Sequence, residues 1–121
     1  MSVHAIHHAS VMVTDTSKAL RFYQGLLGLE RLARPELGYP GAWLAIGAQQ
    51  LHLLELPSPD PKTGRPAHVG RDRHLALVVG ELDALVTSLE AAGVSCSSSR
   101  SGRAAVFCRD PDGNGIELIQ A

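Results

Sequence analysis

The chain runs twice through one order of elements, a strand, a helix and three further strands, and this repeat limits its fold more than any other feature of the 121 residues. In the first half, the stretch from Val3 to Thr14 alternates. Ala5, Ala9, Val11 and Val13 lie on one face, and His4, Ile6, His8, Ser10 and Met12 lie on the other. A period of two over that length predicts a β-strand. Asp15, Thr16 and Ser17 offer capping oxygens, and Ala19, Phe22, Tyr23, Leu26 and Leu27 then share a helical face. Gly28 supplies the stop, while Gly25 weakens the helix from inside. Short strands are predicted at Leu29–Ala33, Ala42–Ile46 and Gln50–Leu56, separated by Pro and Gly.

The second half repeats this grammar. His74 to Val79 predicts a strand, and Leu82, Leu85, Val86 and Leu89 carry helical spacing, with Asp83 at the positive end of the helix dipole and Gly93 as the stop. Three strands follow, at about 94–97, 104–109 and 116–120, with Asp110-Pro111-Asp112-Gly113 as a tight turn before the last. Four prolines and Gly64 between Pro57 and Gly70 mark a linker. The expected organisation is a single domain over 1–121, with a first module at about 1–57, a linker at 58–70 and a second module at about 71–121. Its class is α+β, two βαβββ modules.

Composition narrows the function. A net charge of −1 without a basic run argues against phosphate-neutralising nucleic-acid binding. No apolar stretch approaches the ~20 residues of a membrane span, and Met1-Ser2-Val3-His4 lacks the character of a signal peptide, so a cytoplasmic protein is expected. Cys96 and Cys108 form no CxxC pair, and two cysteines make no disulfide framework.

Six histidines are the compositional oddity. Aligning the halves sets His8 against His74 on the first strands, and His52 against Glu117 on the last ones. Within each half the two candidates are nearly equally spaced, His8 and His52 by 44 residues and His74 and Glu117 by 43. Three imidazoles and a carboxylate suit one divalent ion (Ni, Co, Zn, Fe or Mn) and leave two coordination positions for neighbouring oxygens. A strand histidine taken alone is more often a hydrogen-bonded, partly buried residue than a ligand. Strand parity places Ile6, His8, Ser10 and Met12 on one face, as it does His74, Ala76 and Val78. His4 and His7 are expected to point away from the site or to lie at a frayed end, and His68, in the linker, to be solvated.

Ile6-His7-His8-Ala9-Ser10-Val11-Met12-Val13, then Ala19-Leu20-Arg21-Phe22-Tyr23 and Leu27-Gly28-Leu29, resemble the opening of the glyoxalase/bleomycin-resistance/extradiol dioxygenase family, the vicinal oxygen chelate superfamily. Asp110 to Asn114 with Ile116-Glu117-Leu118 resembles its closing motif. The resemblance implies a curved mixed sheet built from the paired modules and completed in a homodimer. It also implies one divalent metal per site, with His8, His74 and Glu117 as ligands. His52 is the fourth candidate, in a place where glyoxalase I enzymes carry a glutamate.

The implied function is a glyoxalase-like isomerase or lyase that chelates a small substrate through two adjacent oxygens and stabilises an enediolate, with Glu117 as general base. Two alternatives come from the same family: a metal-free antibiotic-binding protein of the bleomycin-resistance kind, and an iron(II) extradiol dioxygenase. A fosfomycin-type transferase is expected to carry basic residues after its glutamate, and only four residues follow Glu117. Arg100 and Arg103, before the closing turn, are candidates to hold an anionic substrate group, and Trp43 to line the cleft. Asp110, Asp112 and Asn114 imitate the start of an EF-hand loop, but position twelve is Ala121, so a turn is expected. Cys108 is expected to be buried.

Overall fold

A computed structural model describes residues 2–121. They form two compact units, one running to Pro59 and the other spanning Asp60–Ala121. In the first, β1 (His8–Val13) leads into α1 (Thr16–Leu20) and a π-helical continuation, Arg21–Leu26, followed by β2 (Glu30–Leu32), β3 (Gly41–Ile46) and β4 (Gln49–Glu55). In the second, a 3-10 turn at Val69–Arg71 precedes β5 (His74–Val79), α2 (Leu82–Ala91), β6 (Ser97–Ser98), β7 (Ala105–Arg109) and β8 (Gly115–Gln120). Each unit is an open four-stranded sheet, ordered β1-β4-β3-β2 and β5-β8-β7-β6. The first strand of each unit runs parallel to its last, and the other neighbours are antiparallel. The class is α+β, as the repeat predicts.

The register makes the repeat a physical equivalence. His8 pairs with Gln50 and Ser10 with His52, while His74 pairs with Gly115 and Ala76 with Glu117. Each first-strand histidine therefore lies diagonally across from the last-strand residue, on the same face. Helix entry repeats as well. The Thr16 backbone N–H donates to Glu55 Oε1 at 2.8 Å, and that of Leu82 donates to Gln120 Oε1 at 2.9 Å. In both units a side chain at the end of the last strand thus satisfies an N–H that the helix itself leaves unpaired.

Alternation places the cores. Val13, Leu51 and Leu53 are buried in the first unit, and Leu77, Ile116 and Leu118 in the second. The helical face of the first unit buries Ala19, Phe22 and Tyr23, with Phe22 and Tyr23 edge to face. Asp15 caps it, its Oδ1 accepting from the Lys18 N–H at 3.1 Å.

One predicted α-helix is in fact mixed. Leu27 N–H reaches back five residues to the Phe22 carbonyl, the bond of a π-turn. Leu29 N–H then bonds the Tyr23 carbonyl across Gly28, whose φ of +76° a side chain would oppose. The first strand starts at His8 and not at Val3: its ladder with β4 opens at the His8–Gln50 pair, and the last contact before it is the Gln50 N–H on the His7 carbonyl at 3.1 Å. Strand β6 has two residues only. The closing turn forms as expected, Gly113 N–H donating to the Asp110 carbonyl at 3.0 Å. Residues 60–70 fold with the second unit: Arg73 pairs with Asp60 at 2.6 Å, and the Pro66 carbonyl accepts from Arg109 at 2.7 Å.

Candidate metal centre

The four ligand candidates sit as two pairs, one in each unit. Among the described residues no group of three or more His, Cys, Asp or Glu side chains converges.

In the first unit the pair is built as a stack. His52 and Trp43 are directly paired across β4 and β3, so their rings share a face. Those rings lie 4.4 Å apart and 7° from parallel, and His8 stacks against His52 at 4.0 Å and 15°. Sandwiched between two rings, His52 is 8% exposed, whereas His8 is exposed. The Gln50 side-chain oxygen Oε1 accepts from His52 Nε2–H at 2.8 Å, so that nitrogen is the donor. Burial, with His8, His7 and Arg34 nearby, lowers the His52 pKa below the usual imidazole value. His7 does not point away: its Nδ1 lies 2.8 Å from His8 Nδ1, because the chain ahead of β1 turns it onto the edge of the His8 ring.

In the second unit the pair is a histidine and a carboxylate. Glu117 is 3% exposed, since β8 lies inside its sheet, and His74 on the edge strand is exposed. His74 Nε2 is 3.3 Å from Glu117 Oε1, and His74 Nδ1 is 2.9 Å from the Asp72 carbonyl. A carbonyl can only accept, so Nδ1 carries the hydrogen. In the neutral ring, Nε2 then turns a lone pair toward a carboxylate oxygen. Two acceptors set face to face need a proton or a cation between or beside them. Glu117 Oε2 is buried and accepts no hydrogen bond. Arg103 Nε stands 3.3 Å from it, near enough for ion pairing but off hydrogen-bond alignment. His74 Nε2 and Glu117 Oε1 are two donors of the kind a divalent ion takes, while the other carboxylate oxygen, Oε2, has only the Arg103 ion pair.

Phe107 is the counterpart of Trp43, pairing with Glu117 as Trp43 pairs with His52. Its ring meets His74 edge-on at 5.4 Å and His68 at 5.2 Å. His68 is therefore not solvated as expected. Gly115 leaves room on β8 for the Val69–Arg71 turn, and a Cβ there would come within 2.8 Å of Val69. The turn carries His68 onto Phe107, its Nδ1 accepting from Gly70 N–H at 3.0 Å and its Nε2 buried without a partner. A sequence signal did exist: a glycine stands at 115 where the first half has Gln50.

Of the two arginine candidates, Arg103 reaches Glu117, while Arg100 is exposed in the loop before β7 and makes no ion pair among the described residues. Asp110 Oδ1 accepts from the N–H groups of Asp112 and Asn114, both at 2.9 Å, so the acidic loop is a self-satisfied turn. Cys108 is buried, which pushes its thiol up to about 12, far from a nucleophile.

Comparison with known proteins agrees with this fold. The family model described as "Glyoxalase/Bleomycin resistance protein/Dioxygenase superfamily" matches residues 5–118. The chain belongs to that superfamily. It is 31% identical to the uncharacterized protein YaeR of Escherichia coli, over 95% of both chains. It is 28% identical to glyoxylase I 4 of Arabidopsis thaliana, over 94% of this chain and 69% of that protein. Among solved structures, the antibiotic-binding protein TnmS3 from Streptomyces superposes with a TM-score of 0.75 at 27% identity, covering 99% and 98% of the two chains. The fosfomycin resistance protein FosX of Listeria monocytogenes, in complex with Mn(II) and a dihydroxypropylphosphonic acid, shares the fold at a TM-score of 0.78 and 18% identity over 100% and 94%. Among the described residues no helix is long and apolar enough to cross a membrane.

Proposed function

We propose that the chain is a metal-dependent, glyoxalase-like lyase or isomerase acting on a small substrate with two neighbouring oxygens. The observation that supports this most is Glu117, a buried carboxylate with one oxygen facing the His74 ring at 3.3 Å and the other without a hydrogen bond. His8, His52, His74 and Glu117 are the ligand set, two from each module, and a homodimer supplies complete sites. When bound, a divalent ion supplies Lewis-acid stabilisation of charge developing on the substrate oxygens. Glu117 takes the proton from the carbon beside them, its position fixed by β8 and by its neighbours His74 and Arg103. Arg103, whose side chain is partly exposed while its Nε reaches Glu117, pairs with an anionic group of the substrate, and Trp43 presents a flat wall to it.

The test combines metal content with proton exchange. Protein purified without chelator is expected to carry one divalent ion per chain and to catalyse proton exchange on 2-hydroxy carbonyl compounds. Glu117→Gln is expected to lower turnover much more than metal affinity. Unchanged exchange in that variant removes Glu117 as the base.

A second reading, a metal-free binder of an aromatic antibiotic, draws on the Trp43–His52–His8 stack, on the engagement of His52 Nε2 by Gln50, and on the likeness to TnmS3. Absence of stoichiometric metal, together with binding of a planar ligand, favours it.

A further inference from the structure

Asp72 lies outside the ligand set, yet the second unit gathers around it. Its Oδ2 accepts from Arg65 Nε at 2.9 Å and from Arg109 Nη1 at 2.8 Å, and its Oδ1 from the Arg73 N–H at 2.8 Å. Arg109 extends the clamp to two carbonyls, Gly113 at 2.8 Å and Pro66 at 2.7 Å. One carboxylate thus joins the segment before β5, the end of β7 and the closing turn. The carbonyl of the same residue accepts from His74 Nδ1–H at 2.9 Å. The clamp holds the Asp72 peptide, and that carbonyl selects which ring nitrogen of His74 keeps its lone pair.

We infer that Asp72 is a positioning residue for His74: clamped by Arg65 and Arg109, it holds the ring as the Nδ1–H tautomer with Nε2 turned to Glu117. A histidine ligand held this way by a backbone carbonyl has a fixed ring orientation and a more basic coordinating nitrogen. The inference about tautomer stands on its own, whereas its consequence for metal affinity rests on His74 being a ligand.

Two measurements separate these levels. The first is nitrogen-15 NMR of the His74 ring in the metal-free protein at about pH 8, where imidazole is neutral, with the signal assigned by its loss in His74→Ala. The second is calorimetric titration with Co(II). Wild type is expected to show a protonated Nδ1 and an unprotonated Nε2. Asp72→Asn, which keeps the backbone carbonyl but removes the negative charge that both guanidinium groups pair with, is expected to show mixed tautomers and a Co(II) affinity about 10–100-fold weaker. Arg65→Met, which removes one arm of the clamp, gives a smaller change in the same direction and serves if Asp72→Asn does not fold. A wild-type ring protonated at Nε2, or variants with the wild-type tautomer, overturns the inference, even if Co(II) binds. A tautomer shift in a protein that binds no Co(II) upholds the positioning role and overturns the metal reading instead.

Discussion

Glu117 and His52 occupy equivalent register positions and answer the same problem in opposite ways. His52 is satisfied: its Nε2–H is accepted by Gln50 and its faces are covered by Trp43 and His8. Glu117 keeps a buried oxygen that accepts no hydrogen bond and has only the Arg103 ion pair beside it. The difference predicts unequal roles in metal binding. His74→Ala is expected to abolish binding in a chain that stays folded, because His74 sits on an edge strand with its side chain only partly buried; full metal occupancy in that variant refutes the assignment. His52→Ala should weaken binding less and destabilise more, since a stacked, buried ring is lost. The His52 pKa also gives a pH dependence. With its folded value below 6.5, the unfolded chain takes up the proton first, so stability is full above about pH 6.5 and falls as pH drops through that range. Thermal melts of wild type and His52→Phe across that range check this, and an identical slope in both rules it out.

At the scale of elements, the caps and turns are the checkable supports. Asp15→Ala removes the side-chain cap of α1 and should cost about 1 kcal/mol in denaturant unfolding. Gly115→Ala forces a Cβ to within 2.8 Å of both the Arg73 carbonyl and Val69, so the Val69–Arg71 turn must lift from β8. Limited proteolysis in residues 60–72 is expected to accelerate in that variant, and an unchanged cleavage rate would show that the sheet absorbs the methyl group instead. The clamp has its own acid limit. Arg109 foremost, with Arg65, holds the Asp72 carboxyl down to about 2, so its contribution is intact above 3.8 and is lost as pH falls from there toward 2.

For the whole molecule, each sheet leaves two edge strands open, β1 and β2 in one and β5 and β6 in the other, and Val78 on β5 is 72% exposed. Unpaired edges with exposed apolar side chains are surfaces that association covers. A homodimer carrying two ions is the expected state, measured by sedimentation beside metal analysis. A monomer with full metal content would show that one chain suffices for a site.

The sequence by itself determined the repeat, the parity of the strands, the caps at Asp15 and Gly28, and the equivalence of His8 with His74 and of His52 with Glu117. These follow from alternation and spacing, which are local and one-dimensional. Tertiary structure decided what the local pattern does not carry. The π-turn after Leu20 accompanies the burial of Phe22 and Tyr23 together, and the start of β1 waits on where β4 supplies a partner. His68 and Asp72 took their places beside the candidate site because a glycine on β8 admits the turn that carries one, and because arginines 37 and 7 residues away hold the other. A residue's polar neighbours in sequence are poor guides to its partners once the chain has folded back, since hydrogen bonds and ion pairs are satisfied by whatever the packing brings within reach.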